Sequence, residues 1–547
     1  MKSNRTFLLA IVLIVAPLLV FARSLGNGFV LWDDDRLIER NPLVQQLTAR
    51  TVAGAFTSYD PELYVPLTIV SFELEHAVAG FWTPLFHATN LLLHIVCVLL
   101  LWRVLKRFGF REAAAFFGAL LFALHPVNVE AVAWASARKD VLSTAFALGS
   151  LLCWLRFRSE EDKRWYWWSV GLLLCSLLSK PTAIVLPFGF LLVDWFQGRV
   201  ITKSSLRTYV PFFGLSVLFL IIGLFGKARN ISSLTLFQTA LLAVKSTVVS
   251  ISQFVWPRFS LLFLEKGPIS IANPSFWLSA AVVLLLLSLI LRSLRRTRLV
   301  AFAFGWFFLL LLPSFSNFSK GAHVYLTSDR YIYLAQVGLL VLLAAGLERF
   351  LRWTGKRSVQ AFAVGGTMLL LVAAFFTYQR SLLWHDSMTL FRAALAANPE
   401  SDVLHYNLGL AFQARGAEVA ARREYEAALA INPHSPKVHF NLGILAQEDR
   451  NTGEALVQYR AAVEDNPLDA EAWNNLGSLL SGRGDLNGAI DAFKKAIAAA
   501  PSFVQAHVNL ADAYGKKSMY AEGIQEYREA AKYDPSLRDK LRGLGAL

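Results

Sequence analysis

The chain has 547 residues, 55% of them hydrophobic and only 17% charged, with 41 Phe and 15 Trp, which is too apolar for a plain cytosolic enzyme. Its net charge of +14 would suit a nucleic-acid binder, but Lys and Arg fall in short clusters between apolar runs, as membrane topology requires, so nucleic acid is rejected as a partner. Cys97, Cys153 and Cys175 all lie inside apolar runs with no CxxC pair, which argues against a disulfide framework or a thiolate metal site.

Eleven apolar runs read as membrane spans: 7–22, 86–104, 113–125, 140–157, 165–179, 182–197, 208–225, 275–291, 299–313, 331–347 and 359–378. The first has the look of a signal peptide, but no A-x-A-like site follows it, so an uncleaved span is expected. A further stretch, Leu236–Trp256, carries Gln238, Lys245 and Gln253 and reads better as an amphipathic or re-entrant helix. If it does not cross, all the basic clusters between Lys2 and Arg357 share one face, which the positive-inside rule makes cytoplasmic. The start of the chain is then inside, and everything beyond the last span lies outside the cytoplasm, in a periplasm or a lumen.

The outward segments carry the polar motifs. The first, Arg23–Leu85, contains Phe29-Val-Leu-Trp-Asp33-Asp34-Asp35. The next contains His125-Pro-Val-Asn-Val-Glu130, then Ser136-Ala-Arg138-Lys139-Asp140; a third has Ser179-Lys180-Pro181, and the last Ser328-Asp329-Arg330-Tyr331-Ile-Tyr333. Polar groups at span ends on one face predict a shared cavity there. Crowded carboxylates raise at least one pKa, which suits a general base; a solvated acidic turn or a cation site is the plainer reading of the same triplet. Arg138, Lys180 and Arg330 would grip an anion such as phosphate if they converge, whereas separate basic side chains would simply snorkel to headgroups. His125, ending a span before Pro126, is more typical of a hydrogen-bonded structural residue than of a catalyst. No zinc, P-loop or nucleophile-elbow spacing is present.

From about Trp384 the apolar runs stop and a 34-residue period begins. Asn-Pro or its equivalent recurs at 398–399, 432–433, 466–467, 500–501 and 534–535, Asn-Leu-Gly at Asn407, Asn441 and Asn475, and Asn-Leu-Ala at Asn509. This is the tetratricopeptide (TPR) pattern: four full repeats over about Asp402–Pro535, preceded by half a repeat at Trp384–Pro399. The expected fold is all-α, with a membrane domain over 1–380 and a TPR domain over 384–547. The four Asn residues are expected to form a ladder along the concave face able to bind an extended peptide backbone, although Asn is also common at this position for packing alone.

In their order, the FVLWDDD, HPVNVEAVA…RKD, span-end Lys180 and DRYIY motifs, followed by the TPR array, resemble the transmembrane-and-TPR O-mannosyltransferases, relatives of the protein O-mannosyltransferases with the GT-C glycosyltransferase fold. The resemblance implies transfer of a sugar, often mannose, from a polyprenyl-phosphate donor to Ser or Thr hydroxyls outside the cytoplasm. It implies an acidic base, which maps to Asp33 or Asp34, and donor-phosphate cations, which map to Arg138, Lys180 and Arg330. Asp35, His125, Glu130 and Tyr331 are further site candidates. No cofactor beyond the lipid-linked sugar is implied, and a divalent cation stays open. Compact loops suggest a bacterial inner membrane, with an undecaprenyl-type carrier, rather than an endoplasmic reticulum. Rival readings are a GT-C enzyme acting on a lipid or cell-wall glycan, a non-enzymatic TPR scaffold, for which eleven spans would be superfluous, and a transporter, for which no inverted repeat is evident.

Overall fold

The computed structural model describes residues 2–59, 63–227, 234–261, 263–265, 268–320, 323–353 and 356–543. It is 79% helical and divides into two compact units, Met1–Ala397 and Asn398–Leu547.

In the first unit every one of the apolar runs is helical. Five helices are long and apolar enough to cross a membrane: Thr83–Arg107, Ala135–Glu160, Arg207–Gly226, Pro274–Leu294 and Leu299–Asn317. Three pairs qualify together, each bent at a short break: Glu112–Leu124 with Pro126–Ala133 (49°), Asp329–Ala335 with Val337–Trp353 (54°), and Ala363–Leu382 with Ser387–Ala397 (118°). Pro126 explains the first break, because the residue before a proline is pushed out of the helical region, and His125 is extended at ψ 128°. Shorter apolar helices occupy Asn4–Val20 and Pro181–Phe196.

The helix Leu236–Val255 is not among the long apolar ones. A capping box between Thr235 and Gln238 starts it, and Ser246, Ser250 and Gln253 are buried while Leu236, Phe237 and Val255 are exposed. Its Lys245 pairs with Glu265 at the end of a small antiparallel sheet. The strands are β1 (Phe263–Leu264), β2 (Ser319–Lys320) and β3 (His323–Thr327), in the order β1-β3-β2, with Phe263 opposite Thr327 and Ser319 opposite Val324. The all-α expectation holds, with this small sheet as the one addition among the described residues: strands of two to five residues are too short to leave an alternating pattern in the sequence.

Two features position the polar face. Helices Arg138–Glu160 and Lys163–Ser179 form an antiparallel hairpin, turned at Glu161 in the left-handed region (φ 56°) and capped by Asp162, which accepts from the Arg164 N–H at 2.9 Å. Paired hydroxyls fix its register: Ser143 meets Ser176 at 2.9 Å and Ser150 meets Ser169 at 3.1 Å. That register carries Asp140, at the start of one helix, to Lys180, just past the end of the other. Helices Leu299–Leu311 and Val337–Trp353 touch at Gly338, where an added Cβ would lie 2.2 Å from the Ala303 carbonyl oxygen.

The second unit is the repeat array. Four helix pairs, from Asp402–Gln413 with Glu418–Ile431 to Val504–Lys516 with Tyr520–Tyr533, are followed by Leu537–Gly543. Gly409, Gly443 and Gly477 let the helices of a pair close on a ring: a Cβ there would come within 2.5, 2.7 and 2.7 Å of Tyr425, Tyr459 and Phe493. In the fourth pair Ala511 packs with Tyr527 in the same apolar cluster. The helix read from sequence as half a repeat, Ser387–Ala397, packs inside the first unit. There the Leu31 N–H donates to Ser387 Oγ at 2.9 Å, and the Trp32 and Phe391 rings lie 6.1 Å apart.

Candidate functional site

The three adjacent carboxylates diverge. Asp34 is fully buried: its Oδ2 accepts from the Val30 N–H at 2.9 Å, and its Oδ1 accepts from the Ser136 N–H at 2.9 Å and from Ser136 Oγ at 2.5 Å. Burial pushes its pKa from 3.8 up to about 7, against the opposing pull of those hydrogen bonds. It therefore ties the loop after the first helix to the turn before Arg138. Asp33 is only partly buried and lies within electrostatic reach of Lys139 and Arg330. Asp35 faces Glu39 instead. Among the described residues no three His, Cys, Asp or Glu side chains gather as a metal cluster.

Beside Asp33 the structure assembles an alternation of cations and rings. Lys139 Nζ lies 5.5 Å from the Trp134 ring; the Arg330 guanidinium lies 4.7 Å from Trp134 and 5.3 Å from Tyr331; Lys180 Nζ lies 5.5 Å from Tyr331. Interleaved aromatic faces reduce the mutual repulsion of three cations in a low-dielectric setting. Lys180 also pairs with Asp140, and Arg330 Nη1 donates to Glu130 Oε1 at 3.3 Å. Glu130 is held in turn by Ser328 Oγ, which lies 2.6 and 2.8 Å from its two oxygens, and by the Arg330 N–H at 3.2 Å. A cavity opens between these groups, lined by Lys180, Arg330, Asp140, Tyr331, Thr182 and Ser314. One carboxylate oxygen of Asp140 is buried there without a hydrogen-bond partner among the described residues. The cavity thus offers cations, hydroxyls and an under-satisfied carboxylate to a polar ligand.

Arg138 and His125 are not brought to this cavity. Arg138 has no exposed surface, and its guanidinium is engaged by Glu75 at 2.9 Å, the Phe86 carbonyl at 2.8 Å, Ser71 at 3.2 Å and Asn90. It knits helix Pro66–Ala79 to helix Thr83–Arg107, and the geometry leaves it little to offer a phosphate. His125 Nδ1 accepts from the Val127 N–H at 3.2 Å, so Nε2 carries the proton and donates to the Phe254 carbonyl at 2.9 Å, with the rings stacked 4.9 Å apart. Both nitrogens are satisfied, as a structural histidine requires.

Trp134 and Lys139 join the site although the sequence reading names neither as a site candidate: Lys139 lies inside the Arg138-Lys139-Asp140 motif, where it reads as a snorkelling cation, and Trp134 is the aromatic five residues before it.

In the repeat unit the Asn ladder is partly occupied. Asn407 and Asn441 donate back to the carbonyls of Val403 (2.6 Å) and Lys437 (2.8 Å) in their own helices. Asn509 donates to Asn474 of the preceding repeat at 2.8 Å, and Asn475 accepts from Asn474 at 3.5 Å. A second periodic series went unread: His405, His439, Trp473 and His507 each donate to the carbonyl of the turn proline six residues earlier, at 3.2, 2.9, 3.0 and 3.0 Å.

Fold and site define a polytopic helical membrane protein carrying a TPR array. Residues 74–225 match the family model of dolichyl-phosphate-mannose-protein mannosyltransferases, and residues 378–436, 440–502 and 478–538 match the tetratricopeptide repeat. The chain is 25% identical over 485 residues to the human protein O-mannosyl-transferase TMTC4, covering 74% of this chain and 64% of that one. It is 24% identical over 442 residues to the Caenorhabditis elegans protein O-mannosyl-transferase F38B6.6 (76% and 61%) and 26% identical over 476 residues to human TMTC1 (75% and 53%). The chain thus spans a little over half to two thirds of the length of these relatives. Among solved structures, MamA aligns over 28% of this chain and 90% of its own, with 20% identity and a TM-score of 0.26. The matches relate the chain to the transmembrane-and-TPR O-mannosyltransferases.

Proposed function

We propose that the protein is an integral-membrane glycosyltransferase of the GT-C type that moves a mannosyl group from a polyprenyl-phosphate to Ser or Thr hydroxyls of proteins outside the cytoplasm. The observation that carries this reading is the juxtaposition of a partly buried carboxylate, Asp33, with a cavity lined by Lys180 and Arg330. Asp33 takes the proton of the acceptor hydroxyl as its oxygen attacks the anomeric carbon. The bond from that carbon to the phosphate oxygen breaks, and the phosphate leaves with the electron pair, its growing charge met by Lys180, Arg330 and Lys139. A single displacement of this kind inverts the anomeric carbon. In this reading Asp33 is the base and Asp34 positions the loop, which the burial and full hydrogen bonding of Asp34 support, and Arg138 holds the scaffold. Because the donor arrives within the membrane, no nucleotide-binding domain is needed.

All eleven helical runs cross the membrane in this reading, with the basic clusters cytoplasmic and helix Leu236–Val255 lying on the outer face. The series Asn407, Asn441, Asn475 and Asn509 then lines an outward TPR surface for extended acceptor chains, with donor capacity left at Asn407 and Asn475, since Asn441 and Asn509 each already make two donor contacts within the array. Mass spectrometry of extracytoplasmic proteins, with and without the gene, tests the function: hexose on specific Ser or Thr residues is lost on deletion. An unchanged glycopeptide profile, together with a changed lipid or cell-wall glycan, would favour the rival acceptor class. A reporter fused beyond the last repeat should be active only outside the cytoplasm.

A further inference from the structure

Asp33 stands between two sets of anchors. On its C-terminal side its own carbonyl accepts from the Arg36 and Leu37 N–H groups at 3.1 and 2.9 Å, and the adjoining Asp34 is bonded to Ser136. On its N-terminal side the loop leans on a distant part of the chain. The Leu31 N–H donates to Ser387 Oγ, 356 residues further on, at 2.9 Å. The Gly28 N–H donates to the His385 carbonyl at 2.9 Å, and the Trp32 ring meets the Phe391 ring at 6.1 Å. These partners lie at and just past the 118° bend between Ala363–Leu382 and Ser387–Ala397.

The turn at that bend is well fixed. Asp386 Oδ1 accepts from the Thr389 N–H at 2.8 Å, and Trp384, Leu390 and Phe391 are buried. Trp384 stacks on Trp134 at 5.7 Å, and the Trp134 ring in turn meets Lys139 and Arg330. One turn therefore touches both halves of the candidate site: the loop with the base, and the aromatic ring between two of the cations. Ser136, two residues beyond Trp134, closes the frame by binding Asp34. A base acts only within hydrogen-bond reach of the hydroxyl it deprotonates, and a misplacement of about 1 Å costs about 100-fold. Asp33 is only partly buried, so its placement depends on how its backbone is held.

We infer that Ser387 is a positioning residue for the transfer: its hydroxyl, with the His385 carbonyl and the Phe391 ring, braces residues 28–32 and so sets where Asp33 stands relative to the phosphate cations. The inference deepens the glycosyl-transfer reading and rests on it. It also gives helix Ser387–Ala397, which the 34-residue period marks as half a repeat, a task inside the membrane unit. A contact that merely stabilised the fold would lower yield and melting temperature and leave kcat per folded molecule unchanged.

The test uses the full-length protein, a polyprenyl-phosphate mannose and a Thr-containing peptide. Ser387→Ala removes the acceptor of the Leu31 N–H. Its kcat per folded molecule should fall by about 10-fold to 100-fold with both KM values within about twofold of wild type, because base placement matters in the transition state rather than in binding. Ser387→Thr keeps the hydroxyl and should recover the rate. An unchanged kcat in Ser387→Ala, a loss that falls on the donor KM instead, or a loss that threonine does not recover overturns the assignment. Should the alanine variant fail to fold, Ser387→Cys, close in size but a weak acceptor, replaces it with the same expected direction. Hydrogen exchange read by mass spectrometry separates the brace from the reaction. Amides at 28–33 should exchange faster in Ser387→Ala while those around Asp194 keep their protection, and unchanged exchange at 28–33 overturns the brace. Wild type that transfers no mannose sinks the reaction and leaves the brace to the exchange result, whereas transfer with normal kcat in Ser387→Ala keeps the reaction and sinks the positioning role.

Discussion

Helix Arg138–Glu160 has a buried carboxylate cluster near each end, and the two are built to opposite effect. Near its C-terminus Asp194 is fully buried and saturated: it accepts from Tyr209 Oη at 2.6 Å, Trp154 Nε1 at 3.3 Å and Arg199 at 3.5 Å, with Arg158 at 2.9 Å. No ligand is needed to complete it, and it reads as a staple between helices. At the N-terminus Asp140, Lys180 and Arg330 line a cavity, and Asp140 keeps an oxygen without a hydrogen-bond partner among the described residues. Both clusters carry the energetic cost of buried charge, but only the second leaves a carboxylate oxygen without a hydrogen-bond partner. Under-satisfaction, rather than burial or charge alone, separates a site from a staple.

Substitutions sharpen that contrast. At the open end, Asp33→Asn should cost about 10²–10⁴-fold in kcat, with the unfolding midpoint unchanged, because the side chain is half-exposed and its shape is kept. At the staple, Asp194→Ala should instead destabilise the folded protein by about 3–5 kcal/mol, since it leaves Arg158 and Arg199 facing a cavity, and the surviving folded fraction should show normal donor KM. A selective loss of activity in Asp194→Ala at unchanged stability would erase the distinction. Arg330→Ala should raise the donor KM by about 10-fold or more, whereas Arg138→Ala should act like the staple variant and lower yield and stability first. Steady-state kinetics beside thermal unfolding of each purified variant reads all four.

In the repeat unit, Gly443→Ala drives a methyl into the Tyr459 ring and should cost about 1–3 kcal/mol there, with transfer to a short peptide unaffected. A pH-dependent effect concerns Asp34. A carboxyl whose folded pKa of about 7 lies above its unfolded value of 3.8 holds its proton more tightly in the folded chain. Its contribution to stability is therefore fully present below pH 4 and is lost as the pH rises through 7. Asp34→Asn cannot ionise, so the stability of wild type relative to this variant should fall between about pH 4 and pH 7 and level off above that. A flat difference would show that the hydrogen bonds from Val30 and Ser136 outweigh burial and keep the carboxylate charged throughout.

The repeat array was legible because its landmarks are local: a Gly that must meet a ring and a Pro at each turn recur at fixed spacing. The His405, His439, Trp473, His507 series was as regular but went unread, because what these side chains share is a donor N–H rather than a residue type. In the membrane unit the sequence placed the motif residues on one polar face, yet it treated Asp33 and Asp34, and Arg138 and Arg330, as equivalent. Burial separates each pair, and burial comes from long-range contacts such as Asp34 with Ser136 and Arg138 with Glu75. The Trp134–Arg330–Tyr331 stack joins segments that lie far apart in the chain, and no local pattern encodes it.

The most direct test of the account is transfer by the purified protein in detergent or lipid nanodiscs, given synthetic polyprenyl-phosphate mannose and a Thr-containing peptide. The account predicts mannosyl-peptide from the wild type and none above background from Asp33→Asn, with both proteins retaining the lipid donor equally. Equal transfer by the two proteins, or donor retention lost along with activity in Asp33→Asn, would contradict the assignment of Asp33 as the base beside a separate phosphate-binding cavity.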